Sequence, residues 1–342
     1  MHAAVRALEY FVPEGTLSTS QLAAEFPDWG VSKIDARTGI GCRHIASPEE
    51  CSSDLAVAAA NKLFSSGVSR PDEIDYILLC TETPDHLLPA TACLVQDRLG
   101  IPTTAGALDF NLGSSGYVYG LGLAEGLICS GQASRILLLT TDTYSKLLNP
   151  RDRSVRTIFG DAATATLLTA TDTPEPLVGP FVYGTDGKGA PNLIVPAGGM
   201  RQRSSAATAV EAEDDQGNVR APGNLFMSGP DIFNFTLAVV PPMIQGLLEK
   251  SKVSQDQVDL FVFHQANRSM LDHLRKRMAI PPEKFVLAIA DCGNTVSCTI
   301  PIAIKQAAAN GQIKQGSLIM LVGFGVGYSW GATLWRSDAN LT

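Results

Sequence analysis

The chain lacks a surplus of positive charge, a long uncharged apolar run and any paired-cysteine spacing, and each absence closes a class of function. Among 342 residues, 26 Lys and Arg stand against 34 Asp and Glu, for a formal net charge of −8. Nonspecific nucleic-acid binding needs a basic face to displace counterions, so no nucleic-acid partner is expected and a phosphate-bearing ligand must meet local arginines. No segment reaches the roughly 20 uncharged apolar residues that span a bilayer, and the opening MHAAVRALEYFVPEG lacks the basic and apolar regions of a secretory signal. The expectation is a soluble, cytoplasmic protein with no membrane partner. The seven cysteines (Cys42, Cys51, Cys80, Cys93, Cys129, Cys292 and Cys298) include no CxxC pair, so they suggest neither a disulfide framework nor a metal site and read as buried, reduced thiols. What the chain has is apolar: 45% hydrophobic against 18% charged residues, enough for a large core.

Short apolar runs bounded by turn residues alternate with helix-patterned stretches, the pattern of an α/β protein. Their order repeats. DEIDYILLCTETPD (72–85), a GSSG turn and SRILLLTTDT (134–143) in the first half match DQVDLFVFHQAN (256–267), DCGNTVSCTIP (291–301) and SLIMLVGFGVG (317–327) in the second. Superposing the units sets Ser114 opposite Asn294 and Cys80 opposite His264. The expected division is 1–175 and 176–342. Within the second half, 198–224 loses apolar periodicity and reads as a surface insert, expected to cover a substrate channel.

Three turns carry candidate chemistry. Ser114 lies in GSSG between a strand-like run and a helix-like one; it can be a nucleophile, or the turn can merely cap the helix through a serine side chain. His264 should emerge from a strand's carboxyl end, where α/β ligand sites gather. Asn294 sits at a glycine turn, and GFGVGYSWG (323–331) leaves backbone N–H groups free to face a ligand.

Taken together, RTGIGCRHIA (37–46), the Ser114 turn, DRSVRTIFGDAATA (152–165), HQAN (264–267), GNT (293–295) and FGVGYSWGATL (324–334) resemble the β-ketoacyl-acyl-carrier-protein synthase III family of the thiolase superfamily over almost the whole chain. The resemblance implies a five-layered αβαβα sandwich of two pseudo-symmetric halves, a homodimer, and no permanently bound cofactor. Acyl-CoA would acylate residue 114, and a malonyl thioester, on a carrier protein or on coenzyme A, would then condense with decarboxylation. His264 (through Nε2–H) and Asn294 would donate to the enolate, and the N–H groups of Ser114 and Val326 would form the oxyanion hole. Arg37 and Arg153 fall on family positions that contact coenzyme A, while Lys33 takes the place of the family's adenine-stacking Trp. Ser269, beside Arg268, stands at a position that is basic in the family. Arg275, Lys276 and Arg277 form a possible docking patch for an acidic carrier, or a solvated face, and Leu88 is expected to close the partner's acyl channel.

One position departs from the pattern: the family's nucleophilic cysteine is Ser114 here. A hydroxyl is far less ionised than a thiol and its ester is less electrophilic, so condensation should be slow or absent. Three explanations stand: a replacement that traps an otherwise normal condensing enzyme, a serine-dependent acyltransferase that moves acyl groups without condensation, or a non-catalytic acyl-binding subunit. The unaltered His264 and Asn294 favour the first.

Overall fold

The computed structural model describes residues 1–338. Its first sheet orders five strands as β1 (His2–Phe11), β7 (Ala162–Thr171), β6 (Arg135–Asp142), β4 (Tyr76–Cys80) and β5 (Gly106–Phe110). The second orders four as β8 (Val178–Thr185), β15 (Ser329–Arg336), β14 (Leu318–Gly325) and β13 (Leu260–Phe263). In both, the strands from the β5 or β13 edge pair in parallel (β5–β4–β6 and β13–β14), and the strands toward β1 or β8 are antiparallel. The runs YILLC in β4 and LFVF in β13 are apolar throughout, as strands covered on both faces require.

Helices separate and cover the sheets. α3 (Ser52–Ser65) and α4 (Thr91–Leu99) bury Leu55, Leu63 and Val95 on the outer face of the first sheet. α5 (Gly116–Cys129) and α9 (Thr299–Ala309) lie between the sheets, where Leu121 and Ile304 share one core with Leu138 and Leu321. α5 fits there because Gly116 and Gly120 leave room for Cys80 Sγ and the Leu138 side chain. α7 (Gly229–Ser251) and α8 (Arg268–Arg277) cover the second sheet with Phe235, Ile244 and Leu271. Five layers result, the thiolase-like αβαβα sandwich. Among the described residues one helix, α7, is long and apolar enough to cross a membrane by length and composition, although Asp231 and Glu249 bound its uncharged run; its inner face packs on the second sheet.

Paired aspartates make the repeat explicit. Asp75, before β4, accepts from the backbone N–H groups of Ser134 and Arg135; Asp259, before β13, accepts from that of Leu318. Counted from these residues, Cys80 and His264 occupy the same place. Ser114 and Asn294 do not: the N-caps of α5 and α9 are Ser115 and Cys298, which sets Ser114 opposite Ser297. A 3-10 turn, Val296–Cys298, separates Asn294 from α9 and shifts the count.

Three ribbons complete the strands: β2 (Gly15–Ser18) with β3 (Cys42–Ile45), β9 (Leu193–Ile194) with β12 (Phe226–Met227), and β10 (Ala212–Glu213) with β11 (Val219–Arg220). The last lies in the 198–224 stretch, which packs on residues 147–153 through Arg220 to Asp152 (2.8 Å), Glu211 to Asn149 (2.7 Å) and an Arg153 bond to the Gln216 carbonyl. Shorter helices are α1 (Thr19–Glu25), α2 (Val31–Thr38), which rests on α8, and α6 (Arg153–Arg156).

Candidate active site

The carboxyl ends of β13 and β14 open onto a cavity of about 350 Å³ lined by Ser114, His264 and Asn294, so the three turns converge. Ser114, buried between β5 and α5, lies against Gly325; a Cβ there would stand 3.2 Å from Ser114 Oγ, so glycine leaves the hydroxyl its space. Helix capping does not explain the turn. Ser115 is the N-cap, yet its side chain makes no capping bond and its Oγ meets Ser329 Oγ instead.

His264 follows β13 with its backbone N–H bonded to Val322 O at 2.8 Å. Its Nδ1 lies 2.7 Å from Thr299 Oγ1 and its ring stands edge-on to Phe324. Burial pulls its pKa down to about 3, so the imidazole is neutral at physiological pH. Asn294 is held through its backbone: its N–H bonds Ile158 O and its carbonyl accepts from Gly160 N–H, both at 3.0 Å. Its Oδ1 accepts from Val296 N–H at 3.0 Å and its Nδ2 donates to Ala266 O at 3.4 Å, which fixes the amide and leaves the second Nδ2–H as the donor. The loop rests on Arg43, fully buried, which donates to Thr157 O (3.2 Å) and Thr19 Oγ1 (2.7 Å). Asp161 of the IFGD run accepts from the N–H groups of Ala46 and Ser145, both at 2.8 Å, so that acid is structural.

Sequence reasoning missed an acidic pair beside the turn. Glu82 Oε2 packs against Gly113, Tyr144 Oη donates to it at 2.7 Å, and the Glu82 backbone N–H bonds Asp142 Oδ1 at 2.8 Å. Burial raises Glu82 from 4.5 to about 7, and burial followed by the Glu82 charge raises Asp142. Between those two values for Glu82 the folded chain holds a proton the unfolded chain has released, so stability falls as pH rises through that window. Glu82→Gln is expected to flatten the slope of unfolding free energy between pH 5 and 7.5 by on the order of 1–2 kcal/mol in denaturant titrations. An unchanged slope would place the titration elsewhere.

Arg37 lines the same cavity as Ser114. At its mouth the guanidinium carbons of Arg37 and Arg153 stand 5.4 and 5.3 Å from the ring of Trp29, and Lys33 Nζ stands 5.4 Å from it. An aromatic ring, Trp29, thus lies one helical turn before Lys33, among the three cations. Ser269 lines the cavity, while Arg268 packs on Gly39. No residue of 198–224 lines that cavity, and the stretch holds Arg153 through the Gln216 carbonyl.

Val326 follows β14 with its Cγ1 against Gly113 of the Ser114 turn, and among the described residues neither its N–H nor that of Ser114 has a protein acceptor. Leu88 is 81% exposed and does not line the cavity of its own chain. The basic cluster divides: Arg275 is half-buried and donates to Ile280 O at 3.2 Å, while Lys276 and Arg277 are exposed. Of the cysteines, Cys80, Cys292 and Cys298 are buried, but Cys93 and Cys129, on helices, are exposed, and Cys42, which opens β3, and Cys51, the N-cap of α3, are intermediate.

A family model described as 3-oxoacyl-[acyl-carrier-protein (ACP)] synthase III matches residues 108–187, and one for the C-terminal part of that enzyme matches 248–337. The likeness extends well beyond these segments: the β-ketoacyl-[acyl-carrier-protein] synthase III of Solibacter usitatus is 35% identical over 339 residues, 98% of each chain. The chain belongs to the β-ketoacyl-acyl-carrier-protein synthase III family. Synthase III 3 of Streptomyces coelicolor is 39% identical over 300 residues, 87% of each chain. A crystal structure of 3-oxoacyl-(acyl-carrier-protein) synthase III, 51% identical, matches with a TM-score of 0.97 over 98% of this chain and 100% of that one. Synthase III family membership accounts for the thiolase fold, and the two matched segments contain Ser114 in one and His264, Asn294 and Val326 in the other.

Proposed function

We propose that this synthase III-family chain takes an acyl group from acyl-CoA onto Ser114 and retains, in His264 and Asn294, the apparatus for decarboxylative condensation, which becomes productive when residue 114 is a thiol. The single cavity lined by Arg37 at one end and by Ser114, His264 and Asn294 at the other supports this reading. Trp29, Arg37 and Arg153 suit the adenine and phosphates of coenzyme A through stacking and fork-like hydrogen bonding.

Acylation begins as Ser114 Oγ attacks the thioester carbonyl and its proton passes to His264. The N-terminus of α5 and the unspent N–H groups of Ser114 and Val326 receive the oxyanion. Collapse expels the coenzyme A thiolate, which takes the proton. A malonyl thioester then loses carbon dioxide, with the Asn294 amide donating to the enolate oxygen. The enolate meets an oxygen ester, a poor acceptor, and the sequence stalls. Lys276 and Arg277 offer positive charge to an acidic carrier, and Leu88, in a homodimer, would close the partner's acyl channel.

Incubation with acyl-CoA followed by intact-mass analysis tests the reading. One acyl adduct, mapped to Ser114 and resistant to neutral hydroxylamine, is expected. Binding of acyl-CoA without an adduct would replace it with a non-catalytic acyl-binding subunit.

A further inference from the structure

At the end of α5 away from Ser114, three side chains of different chemistry meet beside the start of β1. Glu125 and Cys129 stand four residues apart on α5, one turn of the same face, and His2 reaches them from the first residue of β1. His2 Nδ1 lies 2.9 Å from Glu125 Oε1, Cys129 Sγ lies 3.2 Å from the same oxygen, and Sγ and Nδ1 are 3.7 Å apart. None of the three lines the cavity of Ser114. The spacing of the cysteines in the sequence conceals this group, since His2 is 123 residues from Glu125 and only the packing of β1 beside α5 joins them.

The separations suit a small cation. Around tetrahedral zinc, with nitrogen and oxygen at about 2.0 Å and sulfur at about 2.3 Å, ligand atoms stand about 3.3–3.6 Å from one another. The three observed edges depart from those values by only a few tenths of an ångström. A fourth donor is at hand in the Met1 carbonyl oxygen, 3.3 Å from Cys129 Sγ. The carboxylate is also held from behind: Glu125 Oε2 accepts from the Ala3 backbone N–H at 2.6 Å, which turns Oε1 toward His2 and Cys129. Outer support of this kind orients metal ligands. Cys129 is exposed, so a cation reaches the group directly from solvent.

We propose that His2, Glu125 and Cys129, closed by the Met1 carbonyl, form a structural site for zinc or a cation of the same class. One sulfur, one imidazole nitrogen and one carboxylate oxygen make a borderline-soft set, whereas magnesium and calcium prefer shells of oxygen. On binding, the Cys129 thiol proton leaves to solvent and the sulfur, nitrogen and oxygen bond the cation in place of one another. The site pins the first sheet's β1 to the far end of the helix whose N-terminus carries Ser114, and it stands independently of the acyl-transfer reading.

The test uses the full chain, freed of metal by a chelator and kept under a reductant that does not bind metal. Cobalt(II) is expected to give a sulfur-to-cobalt charge-transfer band that saturates at one equivalent and is displaced by zinc. Cys129→Ser, a near-isosteric change at an exposed position, should abolish the band with the far-ultraviolet spectrum unchanged. Glu125→Gln should weaken zinc binding at least about 10- to 100-fold, the loss already typical of an outer-shell partner. Zinc at about 100 times its Kd should raise the melting temperature of the native chain by about 4 °C and leave that of Cys129→Ser unmoved. No charge-transfer band, or a band that survives in Cys129→Ser, would overturn the proposal, as would a melting temperature indifferent to zinc.

Discussion

Ser114→Cys should turn a chain that stalls after acylation into a condensing enzyme, raising β-keto product formation at least about 1,000-fold. Two effects act together. A thiol, with a free pKa near 8.5 that a helix N-terminus lowers, is substantially more ionised than a hydroxyl at neutral pH. The thioester it forms is also a better electrophile for the enolate than an oxygen ester. Little rearrangement is required, because residue 114 already lies in the cavity with His264 and Asn294, and Gly325 leaves the side chain space. The measurement is release of carbon dioxide from malonyl-carrier protein together with the β-keto product, starting from acyl-CoA. A folded S114C chain that acylates but makes no product would remove the condensing role.

Asn294→Ala in the S114C background should lower malonyl decarboxylation about 100- to 1,000-fold, the usual cost of removing one oxyanion donor, while acyl loading changes only a few-fold. Asn294 Oδ1 is taken by Val296 N–H and one Nδ2–H by Ala266 O, so the second Nδ2–H is the group available to a developing enolate. The clamp from Ile158 and Gly160 acts on the backbone, so truncating the side chain leaves the loop anchored. Half-reactions separate the effects: intact mass follows loading, and carbon dioxide release follows decarboxylation. Equal losses in both would assign Asn294 to loop structure rather than to the enolate.

The two-sheet architecture is legible in the sequence because strands covered on both faces must be apolar runs, and their order repeats. His264 is legible for the same reason, since a polar residue directly after LFVF has to emerge at the strand's end. The offset between Ser114 and Asn294 is not, because the Val296–Cys298 turn adds residues without any apolar signature. Trp29 is missed since it lies before α2, one helical turn from Lys33, and only folding brings it against Arg37 and Arg153. Successive residues on a helix point about 100° apart, so LRKR cannot present Arg275, Lys276 and Arg277 on one face, and Arg275 turns inward to Ile280. Glu82 reads as an ordinary polar residue at a strand end; its raised pKa comes from burial, which no local pattern records.

The most direct test of the central claim follows the fate of the acyl group on Ser114. After the native chain is loaded from acyl-CoA and freed of excess reagent, malonyl-carrier protein is added and the adduct is followed by intact mass. The account predicts an adduct on Ser114 that persists, with no β-keto product. Loss of that adduct matched by β-keto product would contradict it, since serine would then support the condensation assigned here to a thiol.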